Sequence, residues 1–425
     1  MPTGQVNQEM LLREMFDAAV KAAMPQTCVP PFLPTAPAGG GKLVVVGAGK
    51  ASAAMARAVE DNWDGPLEGL VVTRYDYGVD CDNIEIVEAA HPVPDAAGLE
   101  AARRIKEIAE GLGEGDVMLC LISGGGSSLL TMPAEGMTLE DKQAVNSALL
   151  KCGATISEMN CVRKHLSAIK GGRLAIAAYP AKVISLLISD VPGDDPSVIA
   201  SGPTVSDDTT YANARKILQR YEIELPGSVQ TVLEASADET PDSKDLRLEQ
   251  NETRLVALPQ ASLEAGAEIS QAAGYETLIL GDAIEGIASE VAREHAALAL
   301  EKQREGKRLA IISGGETTVI VRGPGRGGRN SEYMLAMAEA LDGAPGIYAL
   351  ACDTDGIDGT EDNAGAMINP DTLKRATKAG TSPQDALEKN DSYGFFETIG
   401  DLVVCGPTFT NVNDFRVVLV EPAPD

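Results

Sequence analysis

The sequence predicts an α/β protein of two domains, each built on a mainly parallel sheet. Three observations lead there. Short apolar runs alternate with segments of helical periodicity along nearly the whole chain, the pattern of strand–helix–strand units. Only 4% of the residues are aromatic while alanine and glycine are abundant, which suits helices packed closely on sheets. At 425 residues the chain exceeds the usual size of one hydrophobic core, so two domains of roughly 200 residues each are expected.

Residues 8–24 set Leu11, Leu12, Met15, Phe16, Ala19 and Val20 on one helical face, and a linker rich in proline and glycine follows up to Gly41. Residues 1–40 therefore form a leading helix and linker able to pack on either domain. Next come strand 42–46, helix 50–62, strands 69–73 and 84–88, helix 96–112, strand 116–122, helices through 139–178 and strand 182–189. From 195 to 235 the spacing is helical, and the polar stretch Asp238-Glu239-Thr240-Pro241-Asp242-Ser243-Lys244-Asp245 reads as an exposed connection. This places the domains at 41–236 and 237–425. The second repeats the alternation: strand 253–257, helix 262–273, strand 276–280, helix 285–305, strands 308–312 and 317–322, helix 329–341, strand 347–352, helical turns through 370–389, and strands 401–405 and 415–420.

Lys and Arg total 35 against 63 Asp and Glu, a net charge of -28 that repels nucleic acid and anionic lipid. Any anionic ligand must be drawn in by a few local cations. The seven cysteines, Cys28, Cys81, Cys120, Cys152, Cys161, Cys352 and Cys405, contain no CxxC pair, which argues against structural zinc. Cys120 and Cys405 lie in apolar strands and read as buried thiols of a reducing compartment. With no apolar run near the ~20 residues of a membrane span and no secretory signal, a cytoplasmic protein with no membrane partner is expected. Homo-oligomerisation stays open.

The motifs fall at strand ends. Ser123-Gly124-Gly125-Gly126-Ser127-Ser128 and Ser313-Gly314-Gly315-Glu316-Thr317-Thr318 are near copies, each following an apolar run. Turns of this kind present backbone N–H groups to an anion such as phosphate. A third turn, Gly47-Ala48-Gly49-Lys50, adds a cation. A Walker A loop would need glycine where Val44 stands, and the dinucleotide fingerprint finds Ser52 at its third glycine and Arg74 where an acid is expected. A serine nucleophile would need a base, and the chain has only His91, His165 and His295. Around His165, Arg163, Lys164, Lys170 and Arg173 form either an anion clamp or a solvated basic face. Asp190 closes an apolar strand where open α/β sheets collect ligands. Arg322, Arg326 and Arg329 lie in the most basic segment, among glycines suited to a polyphosphate or carboxylate. Asp353 and Asp355 end a strand in an acidic loop suited to Mg²⁺ with nucleotide phosphates.

Taken in order, GAGKAS at 47–52, HPVPD at 91–95, SGGGSS at 123–128, SDVPGD at 189–194, SGPT at 201–204, SGGETT at 313–318, GRGGRNSE at 325–332 and DTDGIDG at 353–359 resemble the class II glycerate 2-kinases over nearly the whole chain. Residues 305–420 are similar to that family's C-terminal MOFRL domain. The resemblance implies two Rossmann-like domains facing a central cleft, and transfer of the γ-phosphoryl of ATP to the 2-hydroxyl of D-glycerate with Mg²⁺. It places the catalytic lysine on Lys50 and the active-site arginine on Arg329, with Asp190 and Asp355 as associated carboxylates. Asp190 would accept the hydroxyl proton and Asp355, with Asp353, would hold the metal. Gly47, Gly49, Ser123 to Ser128, Gly314, Gly315 and Glu316 would line the phosphates, and Arg173 or Arg326 would receive the glycerate carboxylate. Because members of the family have also been labelled hydroxypyruvate reductases, NAD(P)H-dependent reduction is the alternative.

Overall fold

A computed structural model of the chain describes residues 7–423. It divides into two compact units: Pro25–Val256, called the first, and the second, made of the chain before Pro25 together with that from Ala257 on.

The sheet of the first unit runs β3-β2-β1-β4-β5-β6, formed by β1 (Leu43–Ala48), β2 (Leu67–Arg74), β3 (Ile84–Ala89), β4 (Val117–Ile122), β5 (Lys182–Ile188) and β6 (Glu252–Ala257). The pairs from β3 across to β5 are parallel. Because β1, β4 and β5 are buried along almost their whole length, they read in sequence as continuous apolar runs rather than alternating ones. Strand order reverses between β1 and β4. At such a switch point the two connections leave in opposite directions and open a crevice at the carboxyl ends of the strands.

The second sheet runs β11-β10-β9-β12-β8-β7, from β7 (Glu276–Ile279), β8 (Leu309–Ser313), β9 (Ile347–Asp353), β10 (Gly365–Ile368), β11 (Leu402–Val403) and β12 (Asp414–Val420). Here the expectation of a mainly parallel sheet is corrected: only β7 and β8 pair in parallel, and β8–β12, β12–β9, β9–β10 and β10–β11 are antiparallel. Strand β12 reverses the chain and inserts between β8 and β9. Strand β10 was not foreseen, since its four residues Gly365 to Ile368 are too few to show periodicity. The strand expected at 317–322 is absent apart from one bridge between Thr318 and Ile287, and Ile320 and Val321 are exposed.

The two units also divide the chain at another point than the expected boundary, and they place the leading helix, which the sequence left open to either domain. The polar stretch 237–250 lies within the first unit: Thr240 is buried and donates to the Asp207 carboxylate at 3.1 Å, and the chain beyond adds β6 to the edge of the sheet. The leading helix Gln8–Ala23, capped by the Asn7 side chain on the N–H groups of Glu9 and Met10, belongs to the second unit. It packs its apolar face on the helix Pro259–Ala272, where Ser262 donates to the Ala19 carbonyl at 2.8 Å. All seven cysteines are free; Cys120 is buried, but Cys405 sits beyond the two-residue β11 and is exposed. Among the described residues no helix is long and apolar enough to cross a membrane.

The helix Pro259–Ala272 approaches β12 so closely that a Cβ on Gly266 would lie 2.6 Å from Cζ of the fully buried Phe415. Alanine would gain about 1 kcal/mol in helix propensity over glycine. Overpacking costs about 1–3 kcal/mol and prevails, because the ring has no space to retreat. Gly266→Ala is therefore expected to destabilise the protein in denaturant unfolding, with an unchanged or raised midpoint contradicting the packing described.

Candidate active site

Sequence motifs follow three adjacent strands of the first sheet, two of them at its switch point. Gly49 and Lys50 follow β1, Ser123 to Ser128 follow β4, and Asp190 lies two residues past β5. The first two turns are hydrogen-bonded to one another: the Lys50 N–H donates to the Gly124 carbonyl at 2.8 Å, and the Ala51 N–H donates to Ser123 Oγ at 3.0 Å. The Gly49 N–H donates to the Val72 carbonyl at 3.1 Å. The donors that would cradle a pyrophosphate after β1 are thus already bonded within the protein, which corrects the expectation that Gly47 and Gly49 bind phosphate. They are glycines for want of space: a Cβ on Gly47 would lie 2.3 Å from the Leu121 carbonyl oxygen, and one on Gly49, at φ +145°, 2.2 Å from Ser123 Oγ. Ser52, in place of the fingerprint's third glycine, is fully buried and bonded to the Leu121 carbonyl and to Ser123.

The turn after β4 keeps the property expected of it. Among the described residues no acceptor takes the N–H of Gly124 or Gly125. Gly125 adopts φ +81°, and a Cβ there would meet His91 Nε2 at 3.0 Å and Lys50 Cγ at 3.5 Å, so both side chains flank the turn. Ser127 shares a hydrogen bond with Ser201 Oγ at 2.9 Å, and Ser201 donates to Asn160. Lys170, 1% exposed, reaches Ser127 Oγ at 3.4 Å and the Ala200 carbonyl at 3.0 Å. Ala200 and Ser201 are both left-handed, at φ 51° and 60°, a conformation costing about 1–2 kcal/mol per residue and held here by that network. Ser128 donates to the Gly125 carbonyl. The bonds described for Ser123, Ser127 and Ser128 involve no histidine, and His165 and His295 are buried in partnership with the Cys161 carbonyl and the Tyr333 hydroxyl.

Of the basic cluster around His165, the fold separates the members. Lys164 pairs with Asp207 at 3.3 Å, both buried. Arg173 donates to the carbonyls of Ser167, at 2.9 Å, and of Asp238, while its Nη1 has no hydrogen-bond partner among the described residues. Arg163 and Lys170 instead line a cavity of about 600 Å³ beside the Ser123–Ser128 turn, together with Lys142.

In the second unit Arg329 opens the helix Arg329–Leu341 and is gripped by three carboxylates: Asp414 at 2.8 Å, Glu316 at 2.9 Å and Asp353 at 2.7 Å. Burial works against its charge, but the three acids outweigh burial and hold the guanidinium firmly protonated. The geometry follows from the sheet, since Asp414 begins β12 directly opposite Asp353, the end of β9. Asp358 caps the same helix by accepting from the N–H groups of Asn330 and Ser331 at 2.9 and 2.8 Å. In the turn after β8 Gly315 has φ +102°, and a Cβ there would lie 2.2 Å from the Ile284 nitrogen. Its neighbours are tied down, with the Gly314 N–H on the Gly281 carbonyl and the Gly315 carbonyl accepting from Asp414 N–H; the N–H groups of Gly315 and Glu316 have no acceptor among the described residues. Arg326, by contrast, stacks 4.5 Å above the Tyr393 ring and pairs with Glu361 and Glu397 at the surface.

Asp353 and Asp355 lie together, the Asp355 N–H donating to Asp353 Oδ1 at 2.9 Å. Among the described residues no group of three or more His, Cys, Asp or Glu is arranged around one point to hold a metal. Magnesium commonly takes only one or two carboxylates and completes its shell with water and phosphate. Asp353 Oδ2 pairs with Arg329, and Asp355 Oδ1 accepts from the Ile357 N–H at 2.9 Å.

Two family models match the chain: one described as a domain of unknown function, DUF4147, over residues 11–234, and the MOFRL family over residues 309–414. A protein named D-glycerate 2-kinase from Thermotoga maritima is 39% identical, the match covering 96% of this chain and 97% of that one. The chain belongs to the glycerate kinase family. The crystal structure of a glycerate kinase from Thermotoga maritima superposes with a TM-score of 0.89 at 38% identity, covering 97% of this chain and 99% of that one. A protein of Agrobacterium vitis provisionally named a hydroxypyruvate reductase is 55% identical over 99% of this chain and 96% of its own.

Within this glycerate kinase family member, the residues that sequence reasoning passed over are Asp414, Arg416 and Lys142. Asp414 and Arg416 lie in a strand that is buried throughout, where charged residues among Phe415, Val417 and Val418 are themselves the signal. Arg416, 1% exposed, pairs with Asp414 and donates to the Gly314 carbonyl at 2.9 Å, fastening the glycine turn to the sheet. Arg416→Met would leave Asp414 buried with Arg329 and Asn330 as its remaining partners and would release the turn. A loss of about 3 kcal/mol in urea unfolding is expected, the lower end for breaking a buried pair; a loss below about 1 kcal/mol would contradict it.

Proposed function

We propose that the protein is a D-glycerate 2-kinase that transfers the γ-phosphoryl of ATP to the 2-hydroxyl of D-glycerate, giving 2-phosphoglycerate and ADP. One observation carries this reading over dinucleotide-dependent reduction of hydroxypyruvate: the N–H groups after β1 are bonded within the protein, whereas those of Gly124 and Gly125, flanked by Lys50, have no acceptor among the described residues. Strand order alone does not separate the two activities, because the order β3-β2-β1-β4-β5-β6 is also that of dinucleotide-binding sheets.

Phosphoryl transfer asks the protein mainly for position and for positive charge where negative charge develops. Lys50 supplies an ammonium beside the Ser123–Ser128 turn, and Arg329 supplies a guanidinium whose three carboxylate partners fix its direction. Asp190, half-buried at the end of β5, takes the proton from the 2-hydroxyl. Around Arg329 and Arg416 stand Glu316, Asp353, Asp355 and Asp414, four carboxylates to two guanidiniums, an excess of negative charge that suits a divalent cation. Magnesium held by Asp355 would neutralise phosphate charge there. The N–H groups of Gly315 and Glu316 are available to phosphate oxygens beside it.

Incubation with D-glycerate and Mg-ATP, and separately with hydroxypyruvate and NADH, tests the reading: ADP release in the first and stable NADH in the second are expected, and the reverse pattern overturns it. Lys50→Ala and Arg329→Ala are each expected to lower turnover a hundredfold or more, on the order of 3 kcal/mol of transition-state stabilisation. Near-normal rates in both variants would remove these residues from the mechanism.

A further inference from the structure

The cavity beside the Ser123–Ser128 turn lies wholly within the first unit and gathers three cations. Lys142 comes from the helix Leu139–Lys151, Arg163 from the helix Ile156–His165, and Lys170 from the segment after it. In a chain carrying 63 acids against 35 bases, none of the three has a carboxylate within ion-pair distance among the described residues. Two polar atoms in the cavity wall have no hydrogen-bond partner among the described residues: Lys142 Nζ, sealed from solvent, and the hydroxyl of Thr131, a residue 1% exposed. Such atoms cost about 1–3 kcal/mol each when nothing completes them. Arg163 is fixed by donating to Asn146 at 2.7 Å, and Lys170 by its bonds to Ser127 and to the strained Ala200.

We propose that this cavity is the binding site for the carboxylate of the hydroxy-acid substrate, held by Lys142, Arg163 and Lys170 with the hydroxyls of Ser127 and Thr131. The assignment rests on the kinase reading above and replaces Arg173 and Arg326 as the groups that receive the acid. Electrostatics agree with the geometry. Burial, and then repulsion from Arg163, bring the Lys142 ammonium down to about 7, while burial followed by Lys142 and Arg163 depresses Lys170 well below its usual range. An arriving carboxylate reverses that repulsion and fills the missing hydrogen bonds, so the site discriminates for an anion over a neutral polyol. Gly125, which also lines the cavity, has Lys50 and His91 beside it, so a carboxylate bound here brings the 2-hydroxyl, on the adjacent carbon, toward those side chains.

The test compares the unaltered protein with Lys142→Met and Arg163→Met, using D-glycerate and its neutral amide, glyceramide, as acceptors with Mg-ATP. Both variants are expected to raise KM for D-glycerate tenfold or more, to leave KM for ATP within twofold, and to erase the preference for glycerate over glyceramide. A preference retained in both variants, or a rise confined to KM for ATP, overturns the proposal. If the unaltered protein phosphorylates no D-glycerate, the kinase reading itself fails, a separate result. Should either variant fold poorly, a crystal structure of the unaltered protein with D-glycerate decides: its carboxylate within hydrogen-bond distance of Lys142, Arg163 or Lys170 is expected, and its placement elsewhere overturns the assignment.

Discussion

The interlock of two turns at the switch point of the first sheet sets most of what the site can do. Because Gly49 lies against Ser123 with no room for a Cβ, the segments after β1 and β4 exchange hydrogen bonds directly, from Lys50 to Gly124 and from Ala51 to Ser123. That closeness removes the first turn as an anion cradle and brings the Lys50 side chain over the second. The strand order is one shared with dinucleotide-binding sheets, so the difference between the two turns lies in their packing and not in topology.

The second unit solves a comparable problem with charge. Inserting β12 between β8 and β9 brings Asp414 opposite Asp353 and threads Arg416 through the sheet beneath the Ser313–Thr318 turn. Charged groups so deeply buried persist only when each has partners, and here each does: Arg329 touches three carboxylates, and Asp414 meets two guanidiniums and an amide. The arrangement holds the Arg329 guanidinium in one direction through three carboxylates.

The first unit holds backbone strain next to its Ser123–Ser128 turn. Ala200 and Ser201 are left-handed without being glycine, and are kept so by Lys170, Ser127 and Asn160. A buried lysine tied to a strained carbonyl, facing a cavity that contains unpartnered polar atoms, makes little sense as a stability device. As the wall of an anion site it is coherent, because the same lysine that fixes the turn has no negative partner of its own among the described residues.

Strand and helix periodicity in the sequence determined the α/β class, most elements of both halves, and the motif set at strand ends, because burial of a sheet on both faces leaves unbroken apolar runs such as Leu43-Val44-Val45-Val46 that are visible locally. Glycine spacing identified the turns, yet only the folded chain decided that Gly49 serves close packing while Gly125 stands beside Lys50. The same holds for the cations: Arg163, Lys164, Lys170 and Arg173 are indistinguishable by spacing, and it took the fold to commit Lys164 to Asp207 and Arg173 to backbone carbonyls while leaving Arg163 and Lys170 to meet Lys142. The antiparallel insertion of β12 and the roles of Asp414 and Arg416 were likewise set by pairing between strands more than 60 residues apart, as Asp353 with Asp414 shows. Composition and periodicity are carried by neighbours in sequence; the partner of a charge is chosen by neighbours in space.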